Sequence, residues 1–243
     1  MKRRMLQAIL EAQRQGRATA LVTDMDSGLQ TLVSRTEEGT LMQQGEAGLA
    51  AGALAQVETA LRDDRSGIVE IDDTSLFVHV FNPALRLILV GAVHIAQPLA
   101  QMAALAGYAV TIVDPRSAFA TGERFPGVAL VDEWPDEAVA RLAPDSRTAV
   151  VTLTHDPKLD DPALVTAVKR PCFYIGALGS RKTHAKRLER LREQGINDAE
   201  MARIKGPVGL DIGAITPAEI AVSILAELTL ALHGGPKHKP AAD

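Results

Sequence analysis

At 243 residues, 47% apolar and with a net charge of −4, the chain can bury a large core and carries no basic surplus for nucleic acid. Aromatics at 3% argue against base-stacking platforms, and the lone Cys172 excludes an internal disulfide and a four-thiolate metal site. No apolar run reaches the roughly 20 residues of a membrane span, and Met1–Glu11 lacks the apolar stretch of a secretion signal, so a cytoplasmic protein without a membrane partner is expected.

Residues 3 to 15 space Met5, Ala8, Ile9 and Ala12 along one face of a helix, closed by Gly16. Ala18–Thr23 and Leu29–Ser34 read as strands joined by the hairpin loop Asp24-Met25-Asp26-Ser27-Gly28. Ala47–Leu61 is rich in Ala and Leu and reads as a helix. Ile68–Ile71 and Leu76–Phe81 make a second hairpin across Asp72-Asp73-Thr74. Leu76, Val78 and Val80 alternate with Phe77, His79 and Phe81, which gives that strand two distinct faces. Residues 1–83 are therefore expected to form a small α+β domain. Asn82-Pro83 marks its end, because proline pushes the residue before it out of helix and cannot donate within a central strand.

From Leu85 the rhythm changes. Leu87–Val90 is an apolar run too short for a helix and ends in Gly91, the pattern of a strand buried on both faces. The turn Gly91-Ala92-Val93-His94 leads into a helix carrying Ile95, Leu99, Met102, Ala103, Leu105 and Ala106, stopped by Gly107. The next strand, Val110–Val113, ends on Asp114. Strand, glycine turn, helix, strand and a terminal acid about 20 residues on are the layout of a dinucleotide-binding βαβ unit. The glycine pattern is incomplete. Of G-x-G-x-x-G only Gly91 is present, with Val93 at the middle place and Ala96 at the last.

Alternation continues with strand Val128–Val131, helix Asp136–Leu142 and strand Ala149–Thr154. A helix over Pro162–Lys169, capped by Asp161 with Pro162 first, precedes strand Cys172–Ile175. The loop Gly176–Ser180 enters a basic helix from Lys182 to Gln194. Asn197–Glu200 caps a short helix, and Thr216-Pro217-Ala218-Glu219 is a capping box opening a final helix to Leu232. Residues 84–233 are thus expected to be α/β, a Rossmann-like parallel sheet with helices on both faces, and 234–243 a disordered tail.

In such a sheet ligands bind beyond the carboxyl ends of the strands. Four loops are expected there. The first holds Gly91, Ala92, Val93 and His94. The second holds Asp114, suited to a ribose, and Arg116, suited to an extra phosphate. The third holds Thr154, His155, Asp156 and Lys158. The fourth holds Gly176, Ala177, Gly179, Ser180, Arg181 and Lys182. It is glycine-rich, enters a helix N-terminus and brings two cations, which makes it the stronger anion site. Plainer alternatives stand beside these roles: Gly91 as a tight turn only, Asp114 as a strand-end cap, His155 as a loop brace. Lys186, Arg187, Arg190 and Arg192 read as a solvated face or a docking surface, and Cys172 as a buried small hydrophobe. No nucleophile–base pair, metal cluster or acid pair stands at telling spacing, so no catalytic residue is assigned.

The stretches LILVGAVHIAQPLA, VTIVDPR, AVVTLTHDPKLDDPAL, FYIGALGSRKTHAKR and GPVGLDIGAITPAEIAVSILAE together resemble the XdhC/CoxI/CoxF accessory proteins of bacterial molybdenum hydroxylases, over residues 85–233. The resemblance implies a Rossmann-like C-terminal domain and a maturation role rather than catalysis. Such proteins bind molybdenum cofactor, as molybdopterin or its cytosine dinucleotide. They protect it or assist its sulfuration with a cysteine desulfurase. They deliver it to the apo large subunit of a molybdenum hydroxylase of the xanthine or carbon monoxide dehydrogenase type. A homodimer is expected from the uncovered strand edges of the N-terminal hairpins. Two departures stand out: Met1–Asn82 holds neither the G-S-x-P-R loop nor the Gly-Gly-Cys segment of longer members, and Val93 replaces the glycine of a G-A-G-H turn. Two readings of other classes stay open. One is an NAD(P)-dependent oxidoreductase with His155 or Lys158 facing the nicotinamide; the other is a nucleotide-binding docking module.

Overall fold

The computed structural model describes residues 3–36, 39–45, 47–71 and 73–234. The chain divides into two compact units, Met1–Pro83 and Ala84–Asp243. No helix among the described residues is long and apolar enough to cross a membrane.

The first unit runs α1 (Arg3–Arg14), β1 (Thr19–Asp24), β2 (Gln30–Arg35), β3 (Leu41–Gly45), α2 (Ala51–Asp63), β4 (Gly67–Ile71) and β5 (Thr74–Phe81). Its strands form one antiparallel sheet in the order β3-β2-β1-β5-β4. Alternation along β1 sends Leu21 to one face and Ala20 and Val22 to the other. Leu21 and Leu32 cluster with Met5 and Ile9 of α1. Ala20, Val22, Val33 and Val78 cluster with Ala53, Val57 and Leu61 of α2. In the hairpin loop the Asp24 carboxylate accepts from the Asp26 and Ser27 N–H groups at 3.0 and 2.8 Å, which sets the turn.

Two expectations change here. The helix begins at Ala51 rather than Ala47, and a strand, β3, precedes it. Leu41–Gly45 has one half-buried residue and four exposed ones, so no apolar alternation marks it. Backbone pairing with β2 makes the strand. The loop beyond is pinned by the Thr31 hydroxyl on the Ala47 carbonyl, at 2.6 Å, and by the Leu49 N–H on Gln43 Oε1, at 2.7 Å. These bonds take the residues that local composition assigned to the helix. Asp72, in the second hairpin, and residues 235–243 of the expected tail lie outside the described residues.

The second unit opens with β6 (Leu85–Val90), α3 (Ala96–Leu105), β7 (Tyr108–Val113), β8 (Ala129–Val131) and α4 (Pro135–Leu142). It continues through β9 (Thr148–Thr152), α5 (Pro157–Val168), β10 (Tyr174–Ala177) and α6 (Arg181–Glu193). It closes with α7 (Asp198–Met201), β11 (Ile204–Lys205) and α8 (Pro217–His233). All pairings are parallel, and the strand order is β11-β10-β9-β6-β7-β8. The chain starts in the middle of its sheet, fills one side, then returns to fill the other. This is the doubly wound Rossmann arrangement, and the order reverses between β6 and β9.

Both faces of β6 are buried. Leu87 and Leu89 face Leu99 of α3 and Ile224 of α8. Ile88 and Val90 face Val139 of α4, Leu164 of α5 and Leu191 of α6. The capping box expected at Thr216 is formed, and the cap expected at Asn197 is a full capping box as well.

Three elements differ from expectation. α5 starts at Pro157, capped by Asp156, whose carboxylate accepts from the Lys158 N–H at 2.9 Å. Asp161-Pro162 carries the same cap-and-proline signature but lies inside the helix. The earlier start wins because the added turn buries Leu159. β10 runs over Tyr174–Ala177 rather than Cys172–Ile175, since its register pairs Ala177 with Thr152. Gly176 and Ala177 thus belong to the strand, not the loop. β11 has only two residues, too few for any sequence pattern.

Candidate functional site

The carboxyl ends of β6 and β9 flank the place where strand order reverses. Gly91 leaves β6 at φ +111°, and its N–H donates to the Val113 carbonyl at 2.8 Å. A Cβ there would stand 2.5 Å from Thr154 Cγ2, so the turns after β6 and β9 touch. Ala92 is buried, Val93 packs half-buried on the core, and His94 is exposed.

Asp114, at the end of β7, is fully buried. Its Oδ2 accepts from the Ala92 N–H and from Arg116 Nη2, each at 2.8 Å. Its Oδ1 accepts from the Arg116 N–H and Nε, each at 2.9 Å. Burial alone would raise this carboxyl, but the bonds from Arg116 and Ala92 outweigh it and hold it below the ordinary carboxylate range. The Arg116 guanidinium also lies 4.8 Å from the centre of the Phe119 ring. Asp114 therefore ties the glycine turn to Arg116, and a ribose reaching it would have to displace one of these donors.

After β9 the hub is Thr154. Its hydroxyl donates to Asp160 Oδ1 at 2.7 Å and accepts from the Asp156 N–H at 3.0 Å. His155 sits at φ +62°, exposed, and Lys158 points to solvent. Asp160 is buried, its Oδ2 has no hydrogen-bond partner, and burial raises its carboxyl.

After β10, Gly179 adopts φ +139° and Ser180 caps α6, its hydroxyl accepting from the Thr183 N–H at 3.1 Å. The first turn of α6 holds no acid and begins with Arg181 and Lys182. Cations at this end oppose the helix dipole, at about 0.3–1 kcal/mol each.

One turn further, the solvated-face reading of the basic helix holds for Lys186 and Arg192, which are exposed, and is corrected at Arg187. Arg187 is 2% exposed, because it shares the inward phase of α6 with Leu191. Its Nη2 donates to the Leu178 carbonyl at 2.8 Å and lies 3.7 Å from Asp160 Oδ2. Its Nε and Nη1 have no hydrogen-bond partner. Burial pulls the guanidinium below its usual value despite Asp160 and Asp161 nearby. Arg190 grips Asp161 with two bonds, at 2.6 and 3.0 Å. A cavity of about 230 Å³ opens here, lined by His155, Pro157, Asp160, Lys182, Thr183, Lys186, Arg187 and Arg190.

Of the residues singled out by sequence, the structure thus brings His155 and Lys182 to one cavity, and it joins Gly91, Asp114 and Thr154 through the touching turns at the carboxyl ends of β6, β7 and β9. It adds Asp160, Lys186, Arg187 and Arg190, which sequence reasoning did not place at a site. The four-residue spacing of Arg187 and Leu191 was the available signal. Cys172 is buried, and its thiol is pushed up to about 11 chiefly by burial, which disfavours the thiolate a nucleophile needs. Among the described residues no group of three or more His, Cys, Asp or Glu side chains is placed to hold a metal.

A family model for the XdhC Rossmann domain matches residues 87–228. YqeB, an uncharacterized protein of Escherichia coli, is 34% identical over 162 residues, covering 67% of this chain and 30% of that protein. The molybdenum cofactor insertion chaperone PaoD of Escherichia coli is 35% identical over 148 residues, 61% of this chain and 40% of PaoD. A probable xanthine dehydrogenase subunit of Bacillus subtilis is 35% identical over 156 residues, 64% of this chain and 45% of that one. The chain thus matches less than half the length of each of these relatives. A solved structure from Bacillus halodurans, described as a xanthine dehydrogenase, has the same fold with a TM-score of 0.73 over 96% of this chain and 67% of that one, at 24% identity. Strand order, glycine turn and the matched residues converge on one conclusion: the chain belongs to the XdhC family.

Proposed function

We propose that this chain is a maturation factor for a molybdenum hydroxylase of the xanthine or carbon monoxide dehydrogenase type. It binds molybdenum cofactor and assists its protection, sulfuration or insertion into the apo large subunit. The observation that carries this reading is the match of this chain, over 148 residues, to the insertion chaperone PaoD, at 35% identity.

The site chemistry supports it. Molybdopterin ends in a phosphate, and its cytosine dinucleotide carries a pyrophosphate. The α6 N-terminus offers the N–H groups of Arg181 and Lys182, which no helical carbonyl reaches, with two cations beside them. The crevice at Gly91, Ala92, Val93, His94, Asp114 and Arg116 forms one wall of the proposed site, and Thr154, His155, Asp156 and Lys158 form another. Gly176, Ala177, Gly179 and Ser180 lead from β10 into the third. The cofactor supplies its own molybdenum chemistry when bound; this chain's residues hold its charged end and shield it. Cys172 is buried with a raised pKa, so sulfur from a cysteine desulfurase would reach the cofactor without a persulfide on this chain. Edge strands β3 and β4 are the surfaces through which a homodimer would form.

Deleting the gene and analysing the metal and sulfur content of the hydroxylase tests this function. The expected result is an enzyme depleted in cofactor or terminal sulfur; a fully loaded, active enzyme would rule the proposal out. The strand order favours an NAD(P)-dependent oxidoreductase as the second reading. Titration with NAD, ADP and CDP decides, since that reading requires nicotinamide binding and hydride transfer.

A further inference from the structure

We propose that the cavity between the start of α5 and the basic face of α6 is a phosphate pocket, in which Lys182 and Lys186 grip the oxyanion and buried Arg187 anchors it from within. None of Gly91, Ala92 and Asp114 lines it.

The first observation is charge placed against local stability. Lys182, Lys186 and Arg190 recur at four-residue spacing, so like charges stack along one face of α6, beginning at the positive end of its dipole. Arg190 is neutralised by Asp161, and Arg187 faces Asp160. Among the described residues neither Lys182 nor Lys186 stands in an ion pair. The lining therefore carries two uncompensated cations, which match a doubly charged phosphate better than a singly charged carboxylate. A helix that breaks the charge rules in this way, without compensation inside the fold, marks a functional site.

The second observation is independent of the helix terminus. Arg187 is 2% exposed, lines this cavity, and has Nε and Nη1 without partners. Buried guanidinium donors are ordinarily all satisfied. The Leu178 carbonyl uses one donor of the fork. Nε and Nη1 lie on different edges of the guanidinium, so each offers a single charge-assisted bond to an oxyanion. Thr183 and the exposed His155 complete the lining. At about 230 Å³ the cavity is below the roughly 300–1,000 Å³ of sites that enclose whole ligands. It accepts a terminal group, while the rest of the ligand extends outward.

This deepens the maturation reading and rests on it only for the molecule that bears the phosphate. The test uses the full chain, calorimetric titration with inorganic phosphate and with pyrophosphate, and constant ionic strength set by chloride. Lys182 and Lys186 are exposed, so the Lys182→Ala/Lys186→Ala variant keeps its fold, checked by an unchanged or higher Tm. Its affinity for the better-bound anion is expected to fall at least tenfold. Similar affinity for the two anions assigns the pocket to a terminal monoester, and tighter pyrophosphate binding assigns it to a diphosphate. No binding to the wild-type chain at millimolar anion, or binding that the double variant leaves unchanged, overturns the proposal. Neither result touches the deletion experiment, which tests the maturation role separately.

Discussion

Gly91 and Thr154 meet across the carboxyl ends of β6 and β9, so closely that a Cβ on Gly91 would lie 2.5 Å from Thr154 Cγ2. Gly91 also holds φ +111°, which side chains of L-residues rarely adopt. Gly91→Ala is expected to destabilise the protein by about 1–3 kcal/mol or more through backbone strain and overpacking. Thr154→Ser removes the facing methyl and should recover part of that loss in the double variant. Urea unfolding of the four proteins measures both effects; strict additivity would show that the contact is not the cause.

Asp114 gives the protein an acid-sensitive joint. Its carboxyl is held below its ordinary value, so its stabilising contribution is full above the unfolded pKa of about 3.9. That contribution is lost as pH falls through the folded value below it. Wild-type stability should therefore drop between about pH 5 and the acid limit. Asp114→Asn, which cannot accept all four donors, should be weaker by about 1–3 kcal/mol at pH 7 and less dependent on acid. Parallel acid limbs for the two proteins would count against this account.

Arg187 and Asp160 form a buried ion pair in which burial opposes both charges. Arg187→Met leaves Asp160 buried and unpaired, at an expected cost of about 3–5 kcal/mol. Asp160→Asn removes that charge while keeping an acceptor for Thr154, so the double variant should regain much of the loss. Thermal unfolding of the single and double variants checks it; a double variant as unstable as Arg187→Met would place the loss in packing instead.

Tyr174 on β10 donates to Glu227 of α8, whose Oε2 also accepts the Gly209 N–H at 2.7 Å. Burial, then the Glu227 bond, raise the phenol well above its ordinary value, which keeps it a donor. Tyr174→Phe should cost about 1–3 kcal/mol, because Glu227 keeps only one of its two partners. Glu227→Gln, which retains an acceptor, should cost less. Chemical denaturation separates the two, and equal losses would argue against the hydrogen bond as the source.

How much was legible in the sequence follows from particular elements. Leu87–Val90, Gly91 and Val110–Asp114 disclosed the opening βαβ unit, because each signal is local: a short apolar run, a glycine, a strand-end acid. The cap at Asn197 and the capping box at Thr216 were visible for the same reason. The start of α5 was misplaced, since two Asp-Pro pairs carry one signature and only the burial of Leu159 chooses between them. β3 was invisible, because pairing with β2 and not its side chains makes it a strand.

At the candidate site the sequence by itself determined the chemistry available: a glycine turn, an acid at a strand end, a basic helix entered from a glycine-rich strand end. Tertiary structure alone decided what those groups do. It turned Asp114 inward onto Ala92 and Arg116, because the end of β7 lies beside the turn that leaves β6. It buried Arg187 beside Asp160, because α5 and α6 pack on the same face of the sheet. Spacing along a helix tells which residues share a face; only the packing of neighbours remote in the chain tells whether that face meets water.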